Sequence, residues 1–306
     1  MLTRFFNKSE PFGFIALILL LIVFVSVFVF GTNVSVSSEI LLYYASIIVF
    51  QIVLLIIANV AISKNNLTPN NYYALFVFVL LFGFFPDTIT QSKITFAHLF
   101  ILLTSLRLYG LQYKKDSTLK LFDIGFFLGI AYLLYPLSIL FFIIAFISYF
   151  LFIKNIEKEL FIPILGFITP VFLSFVYFFV FGETKDFITL IEFNIGFDEI
   201  YYNKSNWYSI VFLVGIVFYA SYSNVKHLHK GGVNMQQNIK LIFAHLIFTI
   251  FISILYLSNL KESIQFIFFP IAVLIGNSIV NIKKNWVKEM LLVSLFVGSL
   301  ISLFIT

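Results

Sequence analysis

The chain contains no cysteine and only four histidines, and these shortages exclude several kinds of chemistry. Without cysteine there is no disulfide, no thiolate metal site and no cysteine nucleophile. His227 and His229 lie two residues apart, but no third ligand is near them in sequence, so we expect no metal site. Neither GxxxxGK[ST] nor GxGxxG occurs, which argues against an ATP-driven pump. We expect no cofactor.

Charged residues are also scarce, at 11% of the chain. Soluble proteins have about 25%, so this chain, with 61% hydrophobic residues and a mean hydropathy of +1.06, must be solvated mainly by lipid. The net charge of +5 could indicate an anionic partner. In a membrane protein, however, the location of the lysines matters more than their sum. We expect the lipid bilayer and other membrane proteins as partners, and no nucleic acid.

Long apolar runs predict an all-α polytopic transmembrane bundle of about eleven spans. The first run follows Arg4 and Lys8 and has no small-residue cleavage pattern after it, so we expect an uncleaved helix rather than a signal peptide. The predicted spans are 13–30, 39–63, 72–85, 95–112, 121–135, 137–153, 161–181, 207–223, 239–257, 264–282 and 290–305.

The segment 121–153 is the decisive one for the span count. A single helix of this length would extend about 50 Å, too long for one crossing of a core about 30 Å thick. Lysines flank both ends, so both ends should lie on the same side of the membrane. Pro136 disfavours helix at Tyr135. We therefore predict a hairpin of two short helices, either crossing fully or re-entrant.

The lysines also predict the orientation. With the N-terminus inside, the cytoplasmic segments hold 14 Lys and Arg residues and the outer segments hold 4. Such a bias is typical of a bacterial inner-membrane protein with its N-terminus inside and its C-terminus outside. We expect one integral membrane domain, 1–306, with the loop 182–206 lying partly in the outer interface.

Arg107 is the most prominent charged residue within a predicted span. It could bind a lipid phosphate, pair with Asp123 across the turn 113–120, or extend to the inner headgroups while Asp123 stabilises a helix N-terminus. Asp87 and the pair Asp198 and Glu199 are predicted to face outward, where a carboxylate could act as a general base or could be an ordinary loop residue.

Several other residues are candidates for helix contacts. Gly125 and Gly129 have the small-xxx-small spacing that allows close helix packing, and Pro136 follows in the same hairpin. His98 and His245 lie within spans, where they could form interhelical hydrogen bonds or a proton relay.

Parts of the sequence resemble a known family. The start PFGFIALILLL, FPD at 85–87, and LRLYGLQ followed by FDIGFFLGIAYLLYPLSILFF resemble uncharacterised multi-pass inner-membrane proteins of flavobacteria and other Bacteroidota. GFFLGIAYLLYPLSILFF is also similar to the helix pair of polytopic glycosyltransferases that use polyprenyl-linked sugars. That resemblance implies a long first outer loop with an acidic base, whereas here the loop is only 32–38.

Three functional hypotheses remain from the sequence. The first is a non-catalytic subunit or assembly partner in a cell-envelope membrane complex. The second is a transferase acting on a polyprenyl-phosphate sugar, with Arg107, Asp87 and the outer acidic loop as its site. The third is a transporter, for which the sequence offers polar residues in spans but no internal repeat.

Overall fold

A computed structural model describes residues 2–31, 38–90, 92–153, 157–182, 184–193, 206–228, 231–255 and 263–305. The prediction of an all-α fold is confirmed, because these residues form helices joined by short turns and include no strand. The helices are α1 Leu2–Phe6, α2 Pro11–Gly31, α3 Ser38–Lys64, α4 Tyr73–Phe84, α5 Ser92–Gly110, α6 Ser117–Leu134, α7 Phe141–Phe152, α8 Ile162–Val180, α9 Thr184–Ile191, α10 Asn206–His227, α11 Val233–Leu255, α12 Phe268–Asn281 and α13 Asn285–Ile305.

Within these ranges, nine helical segments are long and apolar enough to cross a membrane. Two shorter apolar segments, Tyr73–Phe84 and Pro136–Phe152, bring the number of apolar helical segments to eleven. Each predicted span thus corresponds to an apolar helical segment, and nine of the eleven are long enough to cross a membrane. The two short segments are the ones whose length alone does not establish a full crossing.

The short helix α4 lies at the centre of the bundle. All twelve of its residues are buried. It packs mainly against α12 and α13, and α2 covers a further side. Gly276 of α12 allows a close approach to α4, because a Cβ there would lie 2.7 Å from the Cβ of Ala74. The helix ends at Phe84, just before the Phe85-Pro86 pair.

The predicted hairpin in 121–153 is confirmed. The helix α6 ends at Leu134, Tyr135 is extended, and a 3-10 turn over Pro136–Leu140 leads into α7. Arg107 of α5 contacts Asp123 near the start of α6, and the next carbonyl, that of Leu108, accepts a bond from Ser148 near the end of α7. The start of α6 and the end of α7 therefore lie at the same level along α5.

The first residues of the chain lie at the same face as the start of the last helix. Glu289 of α13 accepts hydrogen bonds from the backbone N–H groups of Leu2, at 2.8 Å, and Thr3, at 3.0 Å. The connection between α3 and α4 lies at the same face, because the N–H of Tyr72 donates to the carbonyl of Phe6. Each of these three segments is adjacent to lysine or arginine in sequence.

The connections after α3 and α5 and the start of α11 also meet. The Asn238 amide donates to Gln112 Oε1 at 3.1 Å, and the Gln112 amide donates to the Asn65 carbonyl at 2.9 Å. Near the other end of α13, Ser302 donates to the carbonyl of Phe84, the last residue of α4. Since α13 spans the bundle, residues 2 and 305 lie on opposite faces, as the predicted topology requires.

The absolute orientation leads to a testable prediction. Because the lysine-rich connections lie together and lysine favours the cytoplasm, reporter fusions after Lys120, Lys158, Lys230 and Lys284 should report the cytoplasm. Fusions after Lys204 and Thr306 should report the outer side. Paired alkaline phosphatase and green fluorescent protein fusions measure this. A cytoplasmic reporter at Thr306 would contradict both the span count and the hairpin.

Candidate functional site

The structure brings Arg107 and Asp123 together as an ion pair. Arg107 lies in the last turn of α5 and Asp123 in the second turn of α6, with Arg107 Nε 2.9 Å from Asp123 Oδ2. Their side chains are 41% and 31% exposed, so the pair lies on the surface of the bundle. Lys120 lies nearby and donates to the Gly110 carbonyl at the end of α5, which satisfies one of the orphan acceptors there.

Hydrogen bonds of amide side chains show where the ion pair lies along the length of the bundle. Asn65 donates to the Leu106 carbonyl at 3.1 Å, immediately before Arg107, and its own carbonyl accepts from Gln112. Asn238 of α11 completes the layer. Arg107 is thus at the level of the connections after α3 and α5, and the ion pair belongs to the face that the lysines predict to be cytoplasmic.

The two histidines within the spans belong to a buried polar cluster, which consists of Thr95, His98, Tyr109, His245 and Gln265. The Tyr109 hydroxyl lies 3.3 Å from His245 Nδ1, and Thr95 Oγ1 lies 3.5 Å from Gln265 Oε1. His98 is one turn from Thr95 on α5. Aromatic rings separate the two histidines: the ring of Phe266 lies 5.8 Å from His98 and 6.0 Å from Phe141, which lies 5.6 Å from His245.

Some polar atoms of this buried polar cluster have no hydrogen-bond partner among the described residues: both ring nitrogens of His98, His245 Nε2 and Gln265 Nε2. Gln51 is also fully buried, and neither its side-chain oxygen nor its side-chain nitrogen has a hydrogen-bond partner among the described residues. Gln51 and Thr95 line a cavity of about 70 Å³. A cavity of about 10–15 Å³ can hold one water molecule, so this one is large enough to hold water. Polar atoms so placed can bind water or a small polar ligand.

The glycines Gly125 and Gly129 lie in the contact between α6 and α8, the most extensive contact between helices in the described chain. A Cβ on Gly125 would lie 1.8 Å from the Pro163 carbonyl oxygen, and one on Gly129 would lie 2.5 Å from the Pro170 ring. Gly166 of α8 faces the α6 backbone in the same way. The sequence did not indicate that α8 is the partner. Pro136 lies elsewhere, at the first position of the 3-10 turn before α7.

Two glycines end helices: Gly31 of α2, which also has open space around its Cβ position, and Gly110 of α5. Among the glycines that lie between the first and last residues of a described helix, Gly215, in the middle of α10, differs from all the others. A Cβ on Gly215 would meet nothing within 4 Å. The others would place a Cβ at 3.0 Å or closer to a neighbouring atom; they are Gly13, Gly83, Gly125, Gly129, Gly166, Gly276 and Gly298. Gly215 is exposed on a face it shares with Val211 and Tyr219, one turn away on either side, which are 60% and 44% exposed. Sequence reasoning passed over this glycine.

Of the candidate carboxylates that the sequence predicts to face outward, Asp87 alone is among the described residues. Asp87 lies in a 3-10 turn over Pro86–Thr90 and is half-buried. Asp198 and Glu199 lie outside the described residues, as does most of the loop 182–206. Its described part contains α9, which packs Phe187 against Phe175 of α8. Glu289, which binds the first residues of the chain, is a structural carboxylate that sequence reasoning missed; a Glu beside lysines gives no signal of that contact.

Taken together, the apolar helices, the polar residues in the interior and the segregated lysines define a polytopic α-helical integral membrane protein. A family model described as "Family of unknown function (DUF6427)" matches residues 1–306. Because the match covers the whole sequence, the chain belongs to this family. No curated protein and no solved structure matches it.

Proposed function

We propose that this protein is a non-catalytic subunit or assembly partner of a complex in the bacterial inner membrane, and that a helix of another membrane protein packs on α10 at Gly215. The observation that carries the proposal is the open space at Gly215, in a bundle where the other glycines between the end residues of the described helices would place a Cβ at 3.0 Å or closer to a neighbouring atom. Glycine is an unfavourable residue within a helix unless a close approach requires it. The helical spans, and the concentration of lysines in the connections at one face, support the inner membrane as the location.

The surface around Gly215 fits a helix. Val211, Gly215 and Tyr219 follow one another at intervals of four residues and so lie along one side of α10. A glycine between two larger exposed side chains forms a notch, and a partner backbone can approach it closely. Between spans in lipid, association depends on such packing rather than on the hydrophobic effect.

The test is the change Gly215→Leu. Since nothing in the chain lies near a Cβ at this position, the variant should accumulate and melt like the wild type. It should lose the protein that co-purifies with the wild type in mild detergent, by about tenfold or more, since 1.4 kcal/mol of lost packing suffices for that factor. Quantitative mass spectrometry of tagged, natively purified protein measures both.

Val214→Leu is the matched control, because Val214 lies on the same helix, is 59% exposed and faces a different direction. It should retain the partner. If Gly215→Leu also retains it, the proposed interface is wrong. If the partner is a second copy of this chain, the assignment to a complex of different subunits is wrong.

A transporter is the second candidate, and the buried polar cluster is the observation that favours it. Imidazole and amide groups inside a membrane are expensive to bury and commonly lie along the paths of ions or protons. Under this alternative, His98→Leu would abolish the cellular function while Gly215→Leu would not.

A further inference from the structure

An apolar groove lies between α10, α11 and α12 on the surface of the bundle. Its cavity volume is about 660 Å³, and its walls are formed almost wholly by aliphatic and aromatic side chains, among them Val214, Val217, Phe218, Leu246, Ile250 and Phe268. The volume falls within the range of about 300–1,000 Å³ that is typical of small-ligand sites. A buried amide holds one wall in place, because Asn224 of α10 donates to the Leu274 carbonyl of α12 at 2.9 Å.

The groove is long and apolar, as a binding site for a hydrocarbon chain must be. Its lining on α10 runs from Ile210 to Val225, which corresponds to about 22 Å along the helix axis.

A cation lies at one end of the groove. Lys226 is exposed, and its Nζ lies 5.9 Å from the ring centre of Tyr222, which lines the groove together with Val225. This is the end of α10 that the lysine distribution places at the cytoplasmic face, where anionic lipids are concentrated. No Asp or Glu occurs between residues 206 and 255, so neither α10 nor α11 carries a carboxylate that competes for this lysine.

We infer that this groove is a binding site for an anionic phospholipid of the inner leaflet, with one hydrocarbon chain in the groove and the phosphate beside Lys226. The lipid is thereby distinguished from those that merely surround the bundle, because residues of α10, α11 and α12 all line the groove that holds its chain. The groove adjoins the Gly215 face, because Phe218 and Tyr222 line it and lie one and two turns from Gly215. The inference does not depend on the proposed assembly role.

The test uses the purified full chain and phosphatidylglycerol that carries a photoreactive diazirine in one acyl chain. Irradiation followed by peptide mass spectrometry should place adducts on α10, α11 and the 264–271 segment. Unlabelled phosphatidylglycerol should compete about tenfold better than phosphatidylcholine. Lys226→Gln should remove that preference without removing the label, because the hydrocarbon contact remains.

Val214→Trp and Val211→Trp form a matched pair, since both valines are on α10 and are 59% and 60% exposed, but only Val214 lines the groove. Val214→Trp should lower labelling about tenfold, and Val211→Trp should leave it unchanged. If Val214→Trp does not accumulate, Ile250→Trp obstructs the same groove from α11. Equal labelling of the groove-filling and control variants would overturn the inference, and equal competition by phosphatidylcholine would overturn the role of Lys226.

Discussion

Replacing Gly125 by alanine is expected to destabilise the protein strongly. The added Cβ would lie 1.8 Å from the Pro163 carbonyl oxygen and 2.9 Å from the Phe167 nitrogen, both backbone atoms of α8. No side-chain rotation can relieve such an overlap, so the two helices must separate or shift. Overpacking a well-filled contact costs about 1–3 kcal/mol, and a clash with backbone belongs at the upper end of that range. A lower melting temperature in detergent and lower accumulation in the membrane would show it.

Gly215→Ala is the matched control for that experiment. It makes the same chemical change in the middle of a helix, but its Cβ meets nothing within 4 Å. Alanine is also the better helix former, by about 1 kcal/mol in water. The isolated variant should therefore melt at or above the wild-type temperature. Equal melting of Gly125→Ala and wild type would show that α6 and α8 are not packed as described.

Replacing Arg107 by alanine is expected to have the second large effect. The change leaves Asp123 without the guanidinium 2.9 Å away, and an unpaired carboxylate at the edge of the hydrocarbon core is unfavourable. Accumulation should fall, and adding Asp123→Asn should restore part of it. A coupling free energy of about 0.5–3 kcal/mol is typical of residues in direct contact. Melting of the four proteins of the cycle, purified in the same detergent, measures it.

The alternative role of Arg107 is a contact with a lipid phosphate, and the same cycle distinguishes it. If the losses of the two single variants add in the double variant, the residues act independently. Arg107→Lys should then retain most of the stability, because lysine can also reach a phosphate as a point charge. If Arg107 instead pairs with Asp123 as described, Arg107→Lys should cost more stability than under the lipid-phosphate role, since lysine lacks the planar guanidinium and its fork of donors.

Most of the fold could be predicted from the sequence, because a membrane-spanning helix is encoded locally by about 20 apolar residues. The break between α6 and α7 was also local, since Pro136 determines it. The central position of α4 was not predictable. Its apolar run shows that it lies out of contact with water. It does not show whether lipid or protein covers it, because both kinds of helix have the same composition.

In the candidate site, too, local features could be predicted from the sequence and long-range contacts could not. The turn between α5 and α6 placed Arg107 near Asp123, so that pair could be foreseen as one of several possibilities. The spacing of Gly125 and Gly129 predicted a close contact, but nothing in it identified α8. Gln265 meets Thr95, and His245 meets Tyr109, only through long-range packing, as Glu289 meets Leu2. Gly215 becomes conspicuous only when every other glycine between the end residues of a described helix is seen to have a close neighbour.

The central claim is that the Gly215 face of α10 packs against another membrane protein. A photoreactive amino acid placed singly at each position from 208 to 222, in the native membrane, tests it most directly. We predict adducts with one partner protein at Val211, Gly215 and Tyr219, recurring with the helical period of 3.6 residues, and lipid adducts at Val214 and Val217. Adducts with lipid alone at Gly215, or protein adducts without that period, would contradict the claim.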